Sequence, residues 1–340
     1  METALLDYTL PRELIAQHPG DRRDASRMLV VDRRTGGLTV DVYRNVAQYL
    51  NPGDCMVLND TRVIRARLHG FKDTGGRVEV FLLREEAPGQ WLAMVRPSAK
   101  VRPGAVVRFS GGLSATAGEA LPDGRRRVRF DCENVLGALC EAGEIPLPPY
   151  IHRESPEDAD LTRYQTVYAR RDGAVAAPTA GLHLTPEVFA ALDARGVDRA
   201  FLTLHVGYGT FKPVTADTLE EHRVDPEEYD FPEETAARLN AIRAAKGRVV
   251  AVGTTSTRVL ESRSEGGVFT PGRGMTCTYI LPPHTFTGVD VLQTNFHLPK
   301  SSLLALVCAF AGVELTLEAY RFAVAEKFRF YSYGDVMLIL

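Results

Sequence analysis

Between Arg62 and Phe130 the chain is a succession of short alternating segments cut by glycine and proline, and no other feature constrains the fold more. "VIRARLHGF", "GRVEVFLLR", "WLAMVRPS", "AVVRFSGG" and "RRRVRFD" read as strands. Turn residues at Asp73–Gly76, Pro88–Gly89, Pro103–Gly104 and Asp123–Gly124 separate them. Short strands at this spacing point to a small antiparallel sheet or barrel. "ENVLGALCEAGEIPLPPYI" then reads as a short helix with a proline-rich exit.

The flanks have a different texture. Before Asn59 lies the strand-like "SRMLVVDRRTGGLTV". After Tyr150 the pattern becomes α/β. "TPEVFAALDARG" has Thr185 as N-cap, Pro186 in the first turn and Gly196 as the stop. "RAFLTLHVG" reads as a strand that includes His205, "FPEETAARLNAIRAAKG" as a helix, and "RVVAVGTTSTRVLES" as strand, turn and helix. "GMTCTYILP" and "VDVLQTNFHL" read as strands and "KSSLLALVCAFAG" as a helix. The expected architecture is a larger α/β domain built from residues 1–59 and 148–340, with a β-rich domain, residues 60–147, inserted in it. A chain of 340 residues fits two such domains.

Bulk composition excludes several classes. A net charge of −3 rules out a polycation. Six lysines leave 34 of the 40 basic residues as arginine, the residue whose planar fork binds carboxylates and phosphates. Genomic base composition produces the same bias, so it assigns no partner alone. Five scattered cysteines without a Cys-x-x-Cys pair argue against a disulfide scaffold or zinc ribbon. The start "METALLDYTLPRELIAQHP" lacks a signal-peptide pattern, and the apolar run "SLLALVCAFAG" is too short to span a bilayer. A cytoplasmic location is expected.

Four clusters carry candidate chemistry. In "APTAGLHLTPE", Thr179, Gly181 and His183 lie in a loop feeding a helix N-terminus, where an anion is favoured. In "LHVGYGTFKPV", His205 is followed by Gly207 and Gly209, which permit close approach of a flat ligand. The third glycine of a dinucleotide loop would fall at Lys212, so that fingerprint fails, and with it a nicotinamide-dependent oxidoreductase. In "VGTTSTRVLES", Gly253 ends a buried strand and Thr254, Thr255 and Ser256 open a helix, a common ligand geometry in α/β folds. Arg258 and Glu261 are placed on one face of that helix. In "LQTNFHL", strand alternation puts Asn295 and His297 on one face, with Lys300 placed to reach back over them. Arg65 and Arg67, on one strand face of the insert, give a weaker RNA footprint. No metal-ligand spacing is present.

"LNDTRVIRARL", "GEIPLPPYI", "RYQTVYA", "VAAPTAGLHLT", "LHVGYGTFKPV", "AVGTTSTRVLES", "TNFHLPKSSLL" and "FRFYSYGDVMLI" occur in this order. Together they closely resemble the S-adenosylmethionine:tRNA ribosyltransferase-isomerase family of queuosine biosynthesis, from "DYTLPRELIAQHP" to the C-terminus. Leu184, Asp225–Pro226 and Pro282–His284 depart locally from that pattern. The resemblance implies a large α/β, barrel-like domain with an inserted small antiparallel β-barrel. It implies transfer and isomerisation of the ribosyl part of S-adenosylmethionine onto the aminomethyl deazaguanine base at the tRNA wobble position, with release of adenine and methionine. S-adenosylmethionine is then a substrate, and no cofactor, metal or membrane is implied for what is expected to be a monomer.

Carried onto this chain, the implied catalytic residues are His183 or His297 as base, with Asn295 orienting the substrate. Thr179, Gly181, His205, Gly207, Gly253, Thr254, Thr255 and Lys300 would bind S-adenosylmethionine or the base. Arg62, Arg65 and Arg67 would face the tRNA. A non-catalytic tRNA-binding protein is the rival, and the retained polar residues argue against it.

Overall fold

The computed structural model describes residues 1–153, 157–211 and 214–340. Its first hairpin, β1 (Arg27–Asp32) and β2 (Gly37–Val42), begins a nine-stranded sheet. β3 (Cys55–Asn59) enters the middle of that sheet and every residue in it is buried. β4 (Thr61–Val63) pairs in parallel with a strand from much later in the chain.

The insert follows. Strands β5 (Arg67–Lys72), β6 (Arg77–Ala87), β7 (Gln90–Arg96), β8 (Val106–Arg108), β9 (Ser114–Ala120) and β10 (Arg126–Phe130) pair antiparallel in the order β5-β6-β7-β10-β9-β8. β8 pairs back onto β5, with Phe71 opposite Arg108 and Lys72 opposite Val107, so the sheet closes into a six-stranded barrel. The small antiparallel β-barrel anticipated from the strand spacing is therefore present. Alternation fills its interior: β10 reads buried-exposed-buried-exposed-buried. Val80, Leu82, Trp91, Val95, Val128 and Phe130 lie in this core. Closure depends on Gly70, where a Cβ would sit 2.5 Å from the Arg108 carbonyl oxygen and 2.6 Å from the Phe109 ring. Helix α1 (Val135–Ala142) and β11 (Gly143–Glu144), which pairs with β5, complete the insert.

The "VIRARLHGF" segment is two strands rather than one. The chain leaves β4 after Val63 and Arg65 lies in the gap before β5, so Arg65 and Arg67 do not share a strand face. β9 was not legible as a strand because "SATAGEA" has almost no β-branched or aromatic residues.

The rest of the chain completes the α/β domain. A four-residue helix α2 (Asp160–Arg163) precedes β12 (Arg171–Ala174), the partner of β4. Helix α3 (Pro186–Arg195) is capped by Thr185, whose Oγ1 accepts from the Val188 N–H at 3.3 Å, and ends at Gly196 with φ of 77°. Next come β13 (Asp198–Leu204), β14 (Glu227–Phe231), α4 (Glu233–Ala244), β15 (Val249–Val252) and α5 (Thr254–Ser262). A short hairpin of β16 (Ser264–Glu265) and β17 (Val268–Phe269) leads to β18 (Gly272–Thr276). Then follow β19 (Val291–Asn295), α6 (Ser302–Ala311), α7 (Val313–Ala325) and β20 (Val336–Ile339).

The large sheet runs β18-β14-β13-β3-β15-β19-β20-β1-β2. β13, β3, β15 and β19 are mutually parallel. β15 and β20 are buried throughout, as strands covered on both faces must be. One face packs Val57, Val249, Ala251 and Leu292 under helices α4 to α7. The other packs Met56, Val250, Val252 and Val291 under α3 and the 3₁₀ segment Tyr43–Tyr49. Among the described residues no single helix is long and apolar enough to cross a membrane.

Candidate active site

The parallel strands end together at one edge of the sheet, where α/β folds open a crevice. The cleft there holds about 910 Å³ of empty space, its mouth included. Its walls come from residues 177–180, Gly253–Thr255, Thr294–Pro299 and Tyr331–Ser332, with Tyr150, Val206, Thr210, Ser301 and Leu303.

The floor is built by the turn after β15. Gly253 has φ of 90° and ψ of 155°, a conformation a side chain strongly disfavours, and it directs the chain straight into α5. The N–H groups of Thr254, Thr255 and Ser256 have no acceptor among the described residues. The hydroxyls of Ser256 and Thr257 turn back onto the carbonyls of Val252 and Gly253. The helix thus presents its positive end to the cleft, the arrangement that receives a carboxylate. Asn59, buried at the end of β3, bonds both backbone groups of Leu204 and reaches Thr255 Oγ1 at 3.4 Å, locking two strand ends to the first turn of α5.

Asn295 closes β19. Its Oδ1 accepts from the Thr179 hydroxyl at 2.8 Å, and its Nδ2 lies 3.4 Å from His183 Nε2 and 3.4 Å from the Asp335 carbonyl oxygen. His183 Nδ1 is 2.9 Å from Ser26 Oγ, and the Ser26 hydroxyl donates its one proton to the Arg23 carbonyl. Ser26 therefore accepts from Nδ1–H, which leaves Nε2 to accept from Asn295. The amide of Asn295 is oriented from both ends. The 3₁₀ turn Thr179–His183 is tied to the sheet by Gln293, which donates to the Ala180 carbonyl at 2.8 Å and accepts from Tyr43 at 3.0 Å.

His297 lies beyond the strand. β19 ends at Asn295, so strand alternation does not carry to position 297, and His297 Nε2 instead pairs with Thr294 Oγ1 at 2.8 Å. The main chain of His297 is held by Tyr320, which accepts from its N–H at 3.0 Å, and by Tyr8, which donates to its carbonyl. Burial lowers the pKa of His183 to about 4 and that of His297 to about 3. Both imidazoles are neutral at pH 7.

The structure brings Thr179, Gly253, Thr254, Thr255, Asn295 and His297 into this one cleft. It places the other expected residues elsewhere. His183 backs Asn295 and faces a separate hollow. Gly181 packs so closely on Tyr168 that a Cβ would lie 1.9 Å from its hydroxyl oxygen. β13 ends at Leu204, so His205 follows the strand rather than lying in it. His205 and Gly207 line a cavity shared with Leu83 and Trp91 of the barrel, and His205 Nδ1 pairs with Thr61 at 2.8 Å. Lys300 does not reach back over Asn295: with φ of 54° it turns outward and its Nζ pairs with Asp7 at 2.6 Å. Arg258 and Glu261 do not pair with each other. Arg258 is bound by Glu227, and Glu261 accepts from Thr287 and Gly288 and faces His284.

Of the RNA candidates, Arg62 donates to the Ala169 carbonyl and lies 3.9 Å from Asp172. Arg65 donates to the Cys140 carbonyl, and Arg67 lies over the Phe81 ring. Lys212 and Pro213 lie outside the described residues. No group of three His, Cys, Asp or Glu side chains able to hold a metal occurs among the described residues.

Sequence reasoning missed the aromatic wall. Tyr150 and Tyr331 have ring centroids 3.8 Å apart, and Tyr150 shares a hydrogen bond with Ser332. These three residues come from "LPPYI" and "FYSYG", which were quoted for their resemblance but carry no polar signature that would mark them. Ser26, Asp335 and Gln293 are polar, but only tertiary contacts bring them to the site.

Residues 3–339 match the model of the family described as queuosine biosynthesis protein. The S-adenosylmethionine:tRNA ribosyltransferase-isomerase of Citrifermentans bemidjiense is 51% identical over 336 residues, covering 98% of each chain. The solved S-adenosylmethionine tRNA ribosyltransferase of Thermotoga maritima is 37% identical, with a TM-score of 0.58 over 99% of this chain and all of that one.

Proposed function

The chain belongs to the queuosine biosynthesis protein family, and from that premise we propose that it is an S-adenosylmethionine:tRNA ribosyltransferase-isomerase. It transfers the ribosyl moiety of S-adenosylmethionine to the aminomethyl deazaguanine base at the wobble position of tRNA. The sugar rearranges to an epoxycyclopentane ring, and adenine and methionine leave. S-adenosylmethionine is consumed as a substrate, and the enzyme works without a further cofactor as a cytoplasmic monomer.

One observation carries the reading: a free helix N-terminus, an amide fixed from both sides and a neutral imidazole meet in a single cleft. The N–H groups of Thr254–Ser256 suit the methionine carboxylate. Tyr150 and Tyr331 offer faces for the flat adenine or deazaguanine rings. Asn295 and Thr179 orient ribose hydroxyls.

The sulfonium acidifies the adjacent C5′ protons, and a base must take one. His297 lines the cleft and is neutral, so it is the proposed acceptor. Burial lowers its pKa, so in the empty cleft it is a weak base for a carbon acid. His183 does not reach the cleft and acts through Asn295. The attacking amine comes from the RNA base itself and must be unprotonated. Incubation with S-adenosylmethionine and tRNA carrying the aminomethyl base, following adenine by chromatography, tests the proposal. Release that depends on that tRNA is expected; none would remove it.

A further inference from the structure

Behind His183, on the side away from the cleft, lies a second, shallower hollow. Arg22, Arg23, Arg163 and His183 line it, together with Ser332. Ser332 also lines the cleft, so the two meet there. Arg329 borders the hollow at Gly20, where a Cβ would lie 3.4 Å from its Nη1.

Three of these arginines hold only backbone carbonyls. Arg23 donates to Leu182 at 3.1 Å and Thr162 at 2.6 Å, Arg163 to Gly20 and Asp21, and Arg329 to His18. Among the described residues none of the three makes an ion pair. The acids nearby are engaged otherwise. Asp24 pairs with Arg22 at 3.0 Å, Asp335 accepts the N–H groups of Arg27 and Arg329, and Asp160 is held by Arg153. Nε of Arg163 is buried without a hydrogen-bond partner. Carbonyl anchoring fixes the guanidinium planes without an ion pair, so three cations converge on a hollow whose lining holds no carboxylate, Asp335 acting on Arg329 only at longer range.

We infer that this hollow binds a backbone phosphate of the RNA substrate, beside the nucleotide whose base enters the cleft. The inference rests on the proposed action on tRNA and adds where the RNA backbone lies. Guanidinium forks match phosphate oxygens in pairs, and pre-anchored side chains lose little freedom on binding. A nucleotide with its base in the cleft leaves its phosphates at the mouth, and Ser332 marks where cleft and arginines join. Arg62 and Arg67 are in part spent already, on Asp172 and on the Phe81 ring.

The experiment measures binding of full-length tRNA at several salt concentrations to wild type, Arg163→Gln, Arg163→Lys and the double variant R23Q/R329Q. S-adenosylmethionine affinity is measured in parallel. Arg163→Gln is expected to weaken tRNA binding roughly tenfold and to reduce the salt slope by about 0.7–0.9. R23Q/R329Q should lose more, Arg163→Lys should retain most of the wild-type slope, and S-adenosylmethionine affinity should stay unchanged. Wild-type binding by Arg163→Gln overturns the inference. So does equal loss in the Lys and Gln variants, or loss of S-adenosylmethionine affinity, since each reports a purely structural clamp. Wild-type protein that neither binds tRNA nor releases adenine with it defeats the functional reading itself. Normal turnover with unaffected variants defeats this inference alone.

Discussion

Thr179 donates its hydroxyl proton to Oδ1 of Asn295 at 2.8 Å, across 116 positions of sequence. The bond fixes which end of the amide faces the cleft, and His183, itself fixed by Ser26, holds the other end. Asn295→Asp keeps the shape and removes the donor facing His183. It also buries a carboxylate beside the Asp335 carbonyl. A stability loss of about 1–3 kcal/mol is expected, with adenine release falling roughly a hundredfold. Urea unfolding and initial rates measure both; native values for both would separate the amide from the chemistry.

His297 and His183 should differ in kind. His297→Gln removes the imidazole that lines the cleft, and turnover should fall by about 10²–10⁴ while S-adenosylmethionine affinity changes little. His183→Gln acts only through Asn295, so its loss should be smaller and should appear in substrate affinity as well as in rate. Steady-state kinetics with tRNA in excess distinguish them. A larger rate loss at His183 would reverse the assignment.

Acid should destabilise the fold through these two groups before carboxylates contribute. Burial depresses both pKa values from 6.5, to about 4 and about 3, so between pH 6.5 and 4 the unfolded chain binds more protons than the native one. Stability therefore rises with pH through this window and is lost as pH falls, by an amount on the order of a few kcal/mol. Asp335, whose pKa burial raises, contributes in the opposite direction. Urea midpoints between pH 7 and 4.5 should drop for wild type and flatten in the double His→Gln variant. Parallel slopes would contradict the burial argument.

Gly253→Ala tests the floor of the cleft. A Cβ there would lie 3.5 Å from Ala180 Cβ, an ordinary contact, so any cost arises from the backbone conformation. About 1–3 kcal/mol of stability should be lost, and S-adenosylmethionine affinity should fall as the first turn of α5 shifts. Calorimetry reads both. An unaffected Tm would mean that the turn relaxes freely.

Local signals were legible and distant ones were not. The cap at Thr185, the stop at Gly196 and the turn at Gly253 follow from single-residue chemistry, and the structure has them. The barrel was readable because its turns are short and its interior alternates. The strand face expected for His297 does not exist, because β19 ends two residues before it, although His297 does line the cleft. The salt bridge from Lys300 to Asp7 and the bond from His183 to Ser26 join residues 293 and 157 positions apart, and no periodicity announces such partners. Of the candidate cleft, Thr179, the Gly253–Thr255 turn, Asn295 and His297 were foreseen, whereas the tyrosine wall came only with the fold.

The placement of β3 has a consequence for how the molecule is made. Cys55 stands opposite both Asp198 and Val249, and Met28 stands opposite Val336. During synthesis the barrel strands emerge in one block and can close on near neighbours, while β3, and the edge of β1 not paired with β2, wait for partners that arrive far later. The central sheet, and the cleft at its edge, cannot be completed until β19 and β20 have been made. A nascent chain holds a finished barrel beside unpaired apolar strands, and it is in that interval that a chaperone has most to shield.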